Sequence, residues 1–234
     1  MSDWLSFRGV NSTALGVYML DPPPITIAAE RVLTEQIPGR DGDLEITNGA
    51  LDPISLPVLL YCRDESRINE IAAWLRGRGW LQLGNRPNER HKARCVTQIQ
   101  LDRIVRGRDN RTFEVLFDCQ PHRYIYPEAD DIEIMASGAT VTNPGTAKSE
   151  PKLRIEGTGD FWVAIGTQLM DFDGVLDGVV VDSEQKDVLD LTETGFLNSV
   201  ATMDESPTLA PGANIITWSG DVTKITVTPR WRNI

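Results

Sequence analysis

The chain has 234 residues, 41% of them hydrophobic and 24% charged, with a formal net charge of −11, which describes a folded polypeptide able to bury one large core or two modest ones. No apolar run approaches the roughly 20 residues of a membrane-spanning helix, and Met1–Arg8 lacks the charged-then-apolar layout of a secretory leader, so folding in a cytoplasm is expected. Residues 1–138 carry 16 Lys/Arg against 20 Asp/Glu and residues 139–234 carry 7 against 14, and so acidic a second half argues against wrapping a phosphate backbone.

In chain order, Trp4 to Gly9 reads as a short strand, Gly9–Thr13 as a turn, and Gly16–Leu20 as a second strand. Asp21-Pro22-Pro23-Pro24 forces a stiff extended passage, because three fixed φ angles and three missing N–H groups forbid helix or central strand. Ile25–Ile27 and Arg31–Glu35 are β-prone. In Ile37–Leu44, Pro38-Gly39 suits a type II turn and Asp41-Gly42 a hairpin turn. Two turn signals so close predict a projecting loop, in which Arg40 and Asp41 either pair locally or face a partner.

Ile54–Tyr61 is the most apolar strand, with Ile54, Leu56, Val58 and Leu60 on one face. Pro57 cannot donate to a ladder, so the strand is expected at an edge or bulge. The spacing predicts one helix over Asp64–Arg76. Asp64 is its N-cap, and Ile68, Ile71, Ala72 and Leu75 form its apolar stripe. Core packing is expected of Trp74 or Trp80. Strands follow at Trp80–Leu83, His91–Ile104 and Thr112–Cys119, the last two joined at Arg106–Asn110. Ten basic residues lie between Arg76 and Arg111, against the acids Glu89, Asp102 and Asp109. Without a nucleic-acid motif, this tract reads as a solvated face or a charge-complementary protein interface.

Val141–Pro151 holds Asn143-Pro144-Gly145 and little apolar surface, and is read as the boundary between two units. Beyond it, short strands are predicted at Lys152–Gly157, Phe161–Ile165, Val179–Asp182, Asp187–Leu191, Ile215–Trp218 and Lys224–Pro229. Turns are predicted at Gly157-Thr158-Gly159, Asp173-Gly174, Asp177-Gly178 and Ser219-Gly220-Asp221. That spacing predicts a β-sandwich.

Chemistry-bearing motifs are sparse. Cys62, Cys95 and Cys119 sit in apolar or alternating stretches and read as buried reduced thiols. His91 and His122 have no partner at zinc-ligand spacing. Asp171, Asp173 and Asp177 lie beside glycines but lack the closing Glu of an EF-hand, so hairpin turns explain them without metal. There is no nucleophile elbow, phosphate loop or zinc-protease helix motif. Trp162 and Trp218 are candidates for a sugar-stacking platform, with core packing as the plainer role.

Taken together, several stretches resemble the distal tail proteins of siphophages. These are Phe7-Arg8-Gly9-Val10, Leu15-Gly16-Val17-Tyr18, Ile37–Gly42 followed by a Leu-rich strand and one helix, Phe113–Tyr124, Asn143–Gly157, and Pro211–Asn214 with Pro229–Arg232. The resemblance implies a mainly β chain of two β-sandwich domains. Residues 1–138 would form the first, with one helix at about 64–76 and a belt-like projecting hairpin. Residues 139–234 would form the second, galectin-like or carbohydrate-module-like. It implies a structural virion protein at the distal end of a phage tail, without enzymatic activity or cofactor. Six copies would form a ring joining tail-tube protein to the tail-tip hub or baseplate, in some phages with receptor-binding protein. DNA would pass through the lumen without specific binding, and no membrane is involved. Candidate ring contacts are Pro38, Gly39, Arg40, Asp41 and Gly42 in the loop, and Arg106 and Arg108 in the basic tract. The alternative is a carbohydrate-binding or cell-wall-binding adaptor at the tail tip, and a glycosidase-like enzyme is a further rival.

Overall fold

Alternating apolar residues build the core sheet of the first unit, which comprises Met1–Arg123 and Ile234. The computed structural model describes residues 3–96, 102–103 and 111–234. Its strands are β1 (Leu5–Phe7), β2 (Val10–Asn11), β3 (Val17–Met19), β4 (Glu30–Glu35), β5 (Leu44–Leu51) and β6 (Ile54–Cys62), then after helix α1 (Ile68–Leu75) β7 (Arg78–Leu83), β8 (Arg86–Cys95), β9 (Asp102–Arg103) and β10 (Arg111–Cys119). The main sheet runs β2-β1-β7-β8-β10-β6-β3, with β9 on β10. Arg106, Arg108, most of the loop joining β8 to β10 and the far end of the predicted His91–Ile104 strand lie outside the described residues.

β6 and β10 pair antiparallel from Arg111↔Cys62 to Cys119↔Ile54. Ile54, Leu56, Val58 and Leu60 therefore meet Cys119, Phe117, Val115 and Phe113 inside the sheet, all buried. Phe7 adds an edge-on contact to Phe117, with centroids 5.2 Å apart, a geometry that suits the ring quadrupoles. Pro57 sits opposite Leu116 of β10. On its other side, β3 reaches only Leu60–Cys62, so the missing N–H removes no ladder bond there.

The helix is shorter than the sequence predicts. Asp64 does cap it, accepting from Ser66 N at 2.9 Å, but Glu65–Arg67 winds as a 3-10 turn and the α-helix covers only Ile68–Leu75. Its buried residues are Ile71, Trp74 and Leu75, while Ala72 is exposed. The stripe shifts because the large Trp74 turns inward and donates Nε1–H to Phe7 O at 2.9 Å. At the other end, Arg8 donates to Arg76 O at 2.7 Å, placing a cation at the helix C-terminus. The predicted strand at Ile25–Ile27 is irregular backbone with both isoleucines exposed.

The second unit, Tyr124–Asn233, begins earlier in the chain than the Pro-Gly stretch. Its strands are β11 (Arg123–Ile125), β12 (Ile132–Ile134), β13 (Ala139–Asn143), β14 (Lys152–Ile165), β15 (Gln168–Val175), β16 (Gly178–Asp182), β17 (Asp187–Leu189), β18 (Ala201–Met203), β19 (Gly212–Thr228) and β20 (Arg232–Asn233). The order is β12-β19-β14-β15-β18, with β13 on β19, β16 on β14 and β17 on β16. Ile132–Ile134 pairs with Ile225–Val227, which brings residues before 139 into this unit.

The Asn143–Ala147 stretch is an internal loop of the second unit. Asn143 is buried, donates Nδ2–H to Ala147 O at 3.0 Å and Leu209 O at 2.9 Å, and accepts from Gly145 N at 2.8 Å. A Cβ on Gly145 would lie 2.3 Å from Arg232 O, so glycine stands there to admit the C-terminal strand.

Two predicted pairs of short strands are single long strands, β14 and β19. Gly157 and Gly220 sit within them, where a Cβ would lie 2.8 Å from Asp221 O and 2.6 Å from Phe161 Cβ. They mark register shifts between the two strands, and the close approach excludes any side chain. Asp173-Gly174 is likewise inside β15, near the shift between Gly159↔Val175 and Phe161↔Phe172.

Candidate assembly surfaces

β4 and β5 form a two-stranded ribbon that pairs with no other strand among the described residues. All of β4 is exposed, and no residue of β5 is buried. The register sets Leu33 opposite Ile46, and Val32 opposite Thr47. Alternation therefore puts Leu33, Ile46 and Leu44 on one face and Val32, Thr34, Glu45 and Thr47 on the other. Leu33 is 67% exposed and Ile46 51%. Pro38, Gly39, Arg40, Asp41 and Gly42 all lie exposed at its tip, with positive φ at Gly39 and Gly42, as the paired turn signals require. Arg31 and Asp52 form a 2.8 Å ion pair at its base.

Within the basic tract, β7 and β8 pair so that Arg78 faces Arg94, Trp80 faces Lys92 and Gln82 faces Arg90. Arg78 and Arg94 are exposed, while Trp80, Arg90 and Lys92 are half-buried. The Arg90 guanidinium lies 3.8 Å from the Trp80 ring centroid and the Lys92 ammonium 5.3 Å, so the cations gather around one aromatic ring. Arg94 is shared with Asp118 at 3.0 Å. The sequence lists the cations of this face, but only strand register makes them neighbours.

Trp162 and Trp218 do not form one platform. Val163 lies opposite Trp218 and Trp162 opposite Ser219, so the two indoles point to opposite faces of the sheet. Trp218 packs against the core beside Val163, Trp231 is buried, and Trp162 is 37% exposed.

Several polar groups are locked into structure. Asp182, 3% exposed, accepts both guanidinium nitrogens of Arg230 at 2.7 Å and two backbone N–H groups. Burial pushes its carboxyl up, but the Arg230 hydrogen bonds and charge, with those N–H groups, outweigh it and hold the carboxyl below its ordinary range. His91 is buried, and its Nδ1 has no hydrogen-bond partner. Burial, then the Arg123 charge, lowers it from 6.5 to about 4, against the opposing pull of Glu89. Cys62 and Cys119 are buried free thiols, and burial, then Asp118, pushes Cys119 up to about 12.

A cleft of about 590 Å³ in the second unit lies among Glu150, Ser183, Lys186, Met203 and Thr208, and its Glu150 is engaged by Arg232 at 2.9 Å. Asp171 and Asp173 lie on β15 and Asp177 in the turn after it. Among the described residues no three His, Cys, Asp or Glu side chains gather as metal ligands, and no helix is long and apolar enough to cross a membrane.

No protein-family model and no curated sequence matches this chain. Solved structures do. A chain of the phage P2 baseplate in its activated conformation with calcium superposes with a TM-score of 0.52 at 8% identity, covering 99% of this chain and 97% of that one. The crystal structure of the Dit (gp 19.1) protein of SPP1, described as a paradigm of the hub adsorption apparatus in phages infecting Gram-positive bacteria, superposes with a TM-score of 0.74 at 14% identity. That match covers 97% of this chain and 98% of the other. Over nearly its whole length, then, this mainly β, two-unit chain has the fold of the SPP1 Dit hub protein.

Proposed function

We propose that this chain is a structural component of a long-tailed phage, a distal tail protein that forms a ring of six copies between the tail tube and the tail tip or baseplate. The carrying observation is the end-to-end superposition on the SPP1 hub protein, with almost nothing left over in either chain. The exposed β4–β5 ribbon supports it. Two strands alone are marginal in water, and this pair leaves Leu33 and Ile46 uncovered by its own unit, as a segment completed by a neighbour would.

In this reading the first unit makes the ring, and the second, galectin-like unit faces outward. Its neighbours are tail-tube protein, the tail-tip hub and, in some particles, receptor-binding protein. DNA passes through the lumen without base readout. The chain works through shape and contact, and carries no catalytic role. The opposite facing of Trp162 and Trp218 weighs against a shared sugar platform.

Negative-stain imaging of the purified protein tests the reading. Annular particles with a central hole and six-fold class averages are expected. Featureless single subunits across the accessible concentration range contradict it.

A further inference from the structure

We infer that the cleft of the second unit binds a small hydroxylated amine, the chemistry carried by an amino-sugar unit or an amino alcohol. The inference does not rest on the ring reading. The cleft holds about 590 Å³, within the span of small-molecule sites. Separate stretches wall it. Ser183 and Lys186 come from the turn after β16, Val188 from β17, and Met203, Asp204 and Glu205 from the end of β18 and the segment that leaves it.

Two observations set the chemistry of the occupant. The first is a hydroxyl with nothing to bond. Ser183 is 2% exposed and its Oγ has no hydrogen-bond partner, although its backbone N–H donates to Pro151 O at 3.1 Å. Buried hydroxyls are ordinarily satisfied, so this wall carries an unanswered donor and acceptor that a polar ligand seated against it completes.

The second is charge. Glu150 is already held by Arg232 at 2.9 Å, which leaves Asp204 and Glu205 against Lys186, all three exposed. The cleft is therefore net negative, within a stretch, residues 139–234, that carries 7 Lys/Arg against 14 Asp/Glu. Such a field draws cations and repels anions. Among the described residues no three His, Cys, Asp or Glu side chains gather as metal ligands. An organic ammonium needs only one or two carboxylates as acceptors, and its hydroxyls can answer Ser183. Val188 and Met203 face its carbon frame with apolar wall.

Titration calorimetry on the full chain with glucosamine, ethanolamine, glucose and N-acetylglucosamine tests this. An amine is expected to bind, and both uncharged sugars to bind about tenfold more weakly or worse. The tighter of the two amines names the carrier, and raised salt lowers its affinity. Asp204→Asn with Glu205→Gln is expected to weaken amine binding about tenfold at unchanged melting temperature. Ser183→Ala is expected to weaken it about fivefold while the melting temperature holds or rises, because the change removes an unsatisfied buried hydroxyl. Asp171→Asn, on β15 and outside the cleft wall, is expected to leave the affinity unchanged.

Amines that bind no better than the uncharged sugars overturn the inference, as does the absence of binding by all four compounds. Amine binding that survives the double carboxylate change also overturns it. So does a Ser183→Ala protein that melts lower with its affinity unchanged, since the hydroxyl then serves packing alone. Each of these results is read independently of whether six-fold rings form.

Discussion

At the scale of single residues, buried polar groups set how the chain responds to pH. His91 is neutral when folded and titrates near its ordinary value of 6.5 when unfolded, so the unfolded chain binds the extra proton first as pH falls. Stability is therefore full above pH 6.5 and declines between there and about pH 4, by about 3 kcal/mol for the shift involved. Denaturant melts of wild type and His91→Gln from pH 8 to pH 4 check this. The substitution is expected to flatten the acid slope, and an unchanged slope contradicts the assignment.

Asp182 behaves oppositely in origin. Its folded carboxyl is held below the ordinary range, so its contribution is present above that range and disappears as pH falls through the folded value. Arg230→Ala leaves a buried carboxylate without its bidentate partner, and a loss of about 3 kcal/mol at neutral pH is expected. The deficit should shrink in acid, and a pH-independent deficit would point to packing alone. Gly145 makes a third case. Its substitution by Ala drives Cβ into Arg232 O and is expected to cost about 1–3 kcal/mol by thermal unfolding, with no cost if the C-terminal strand simply moves aside.

At the scale of elements, the ribbon and the two long strands carry most of what is new. Among the described residues β4–β5 ladders only with itself, so hydrogen exchange of its amides should be fast in single subunits and slow in the ring. Equal protection in both states would place its partner elsewhere. Much of the rest was legible in the sequence. Period-2 alternation identifies β6 and β10 and their buried faces. Asp64 announces the helix start, and the paired turn signals at Pro38-Gly39 and Asp41-Gly42 mark the ribbon tip.

The misreadings share a physical cause. Gly157, Gly220 and Gly174 look like turns because glycine serves equally where a strand bulges or where backbone approaches backbone. Asn143-Pro144-Gly145 reads as a linker, although Asn143 satisfies its buried amide against Ala147 and Leu209. Trp74 displaces Ala72 from the helix stripe through a hydrogen bond to Phe7 that no local pattern contains. The facing of Arg78 and Arg94, and the opposed facing of Trp162 and Trp218, follow from pairing register, which local spacing does not encode.

At the scale of the whole molecule, the chain holds two separate buried cores and leaves uncovered a ribbon whose apolar residues its own unit does not bury. Head-to-tail association needs two different, mutually complementary patches on each subunit. Such association closes when the rotation per subunit divides the circle, and salt weakens it. The most direct measurement is the mass of the purified protein in solution by native mass spectrometry, taken over a range of concentrations. A species of six 26.0 kDa subunits that dissociates as salt rises is the predicted result. A single-subunit mass that persists at high concentration and low salt contradicts the account.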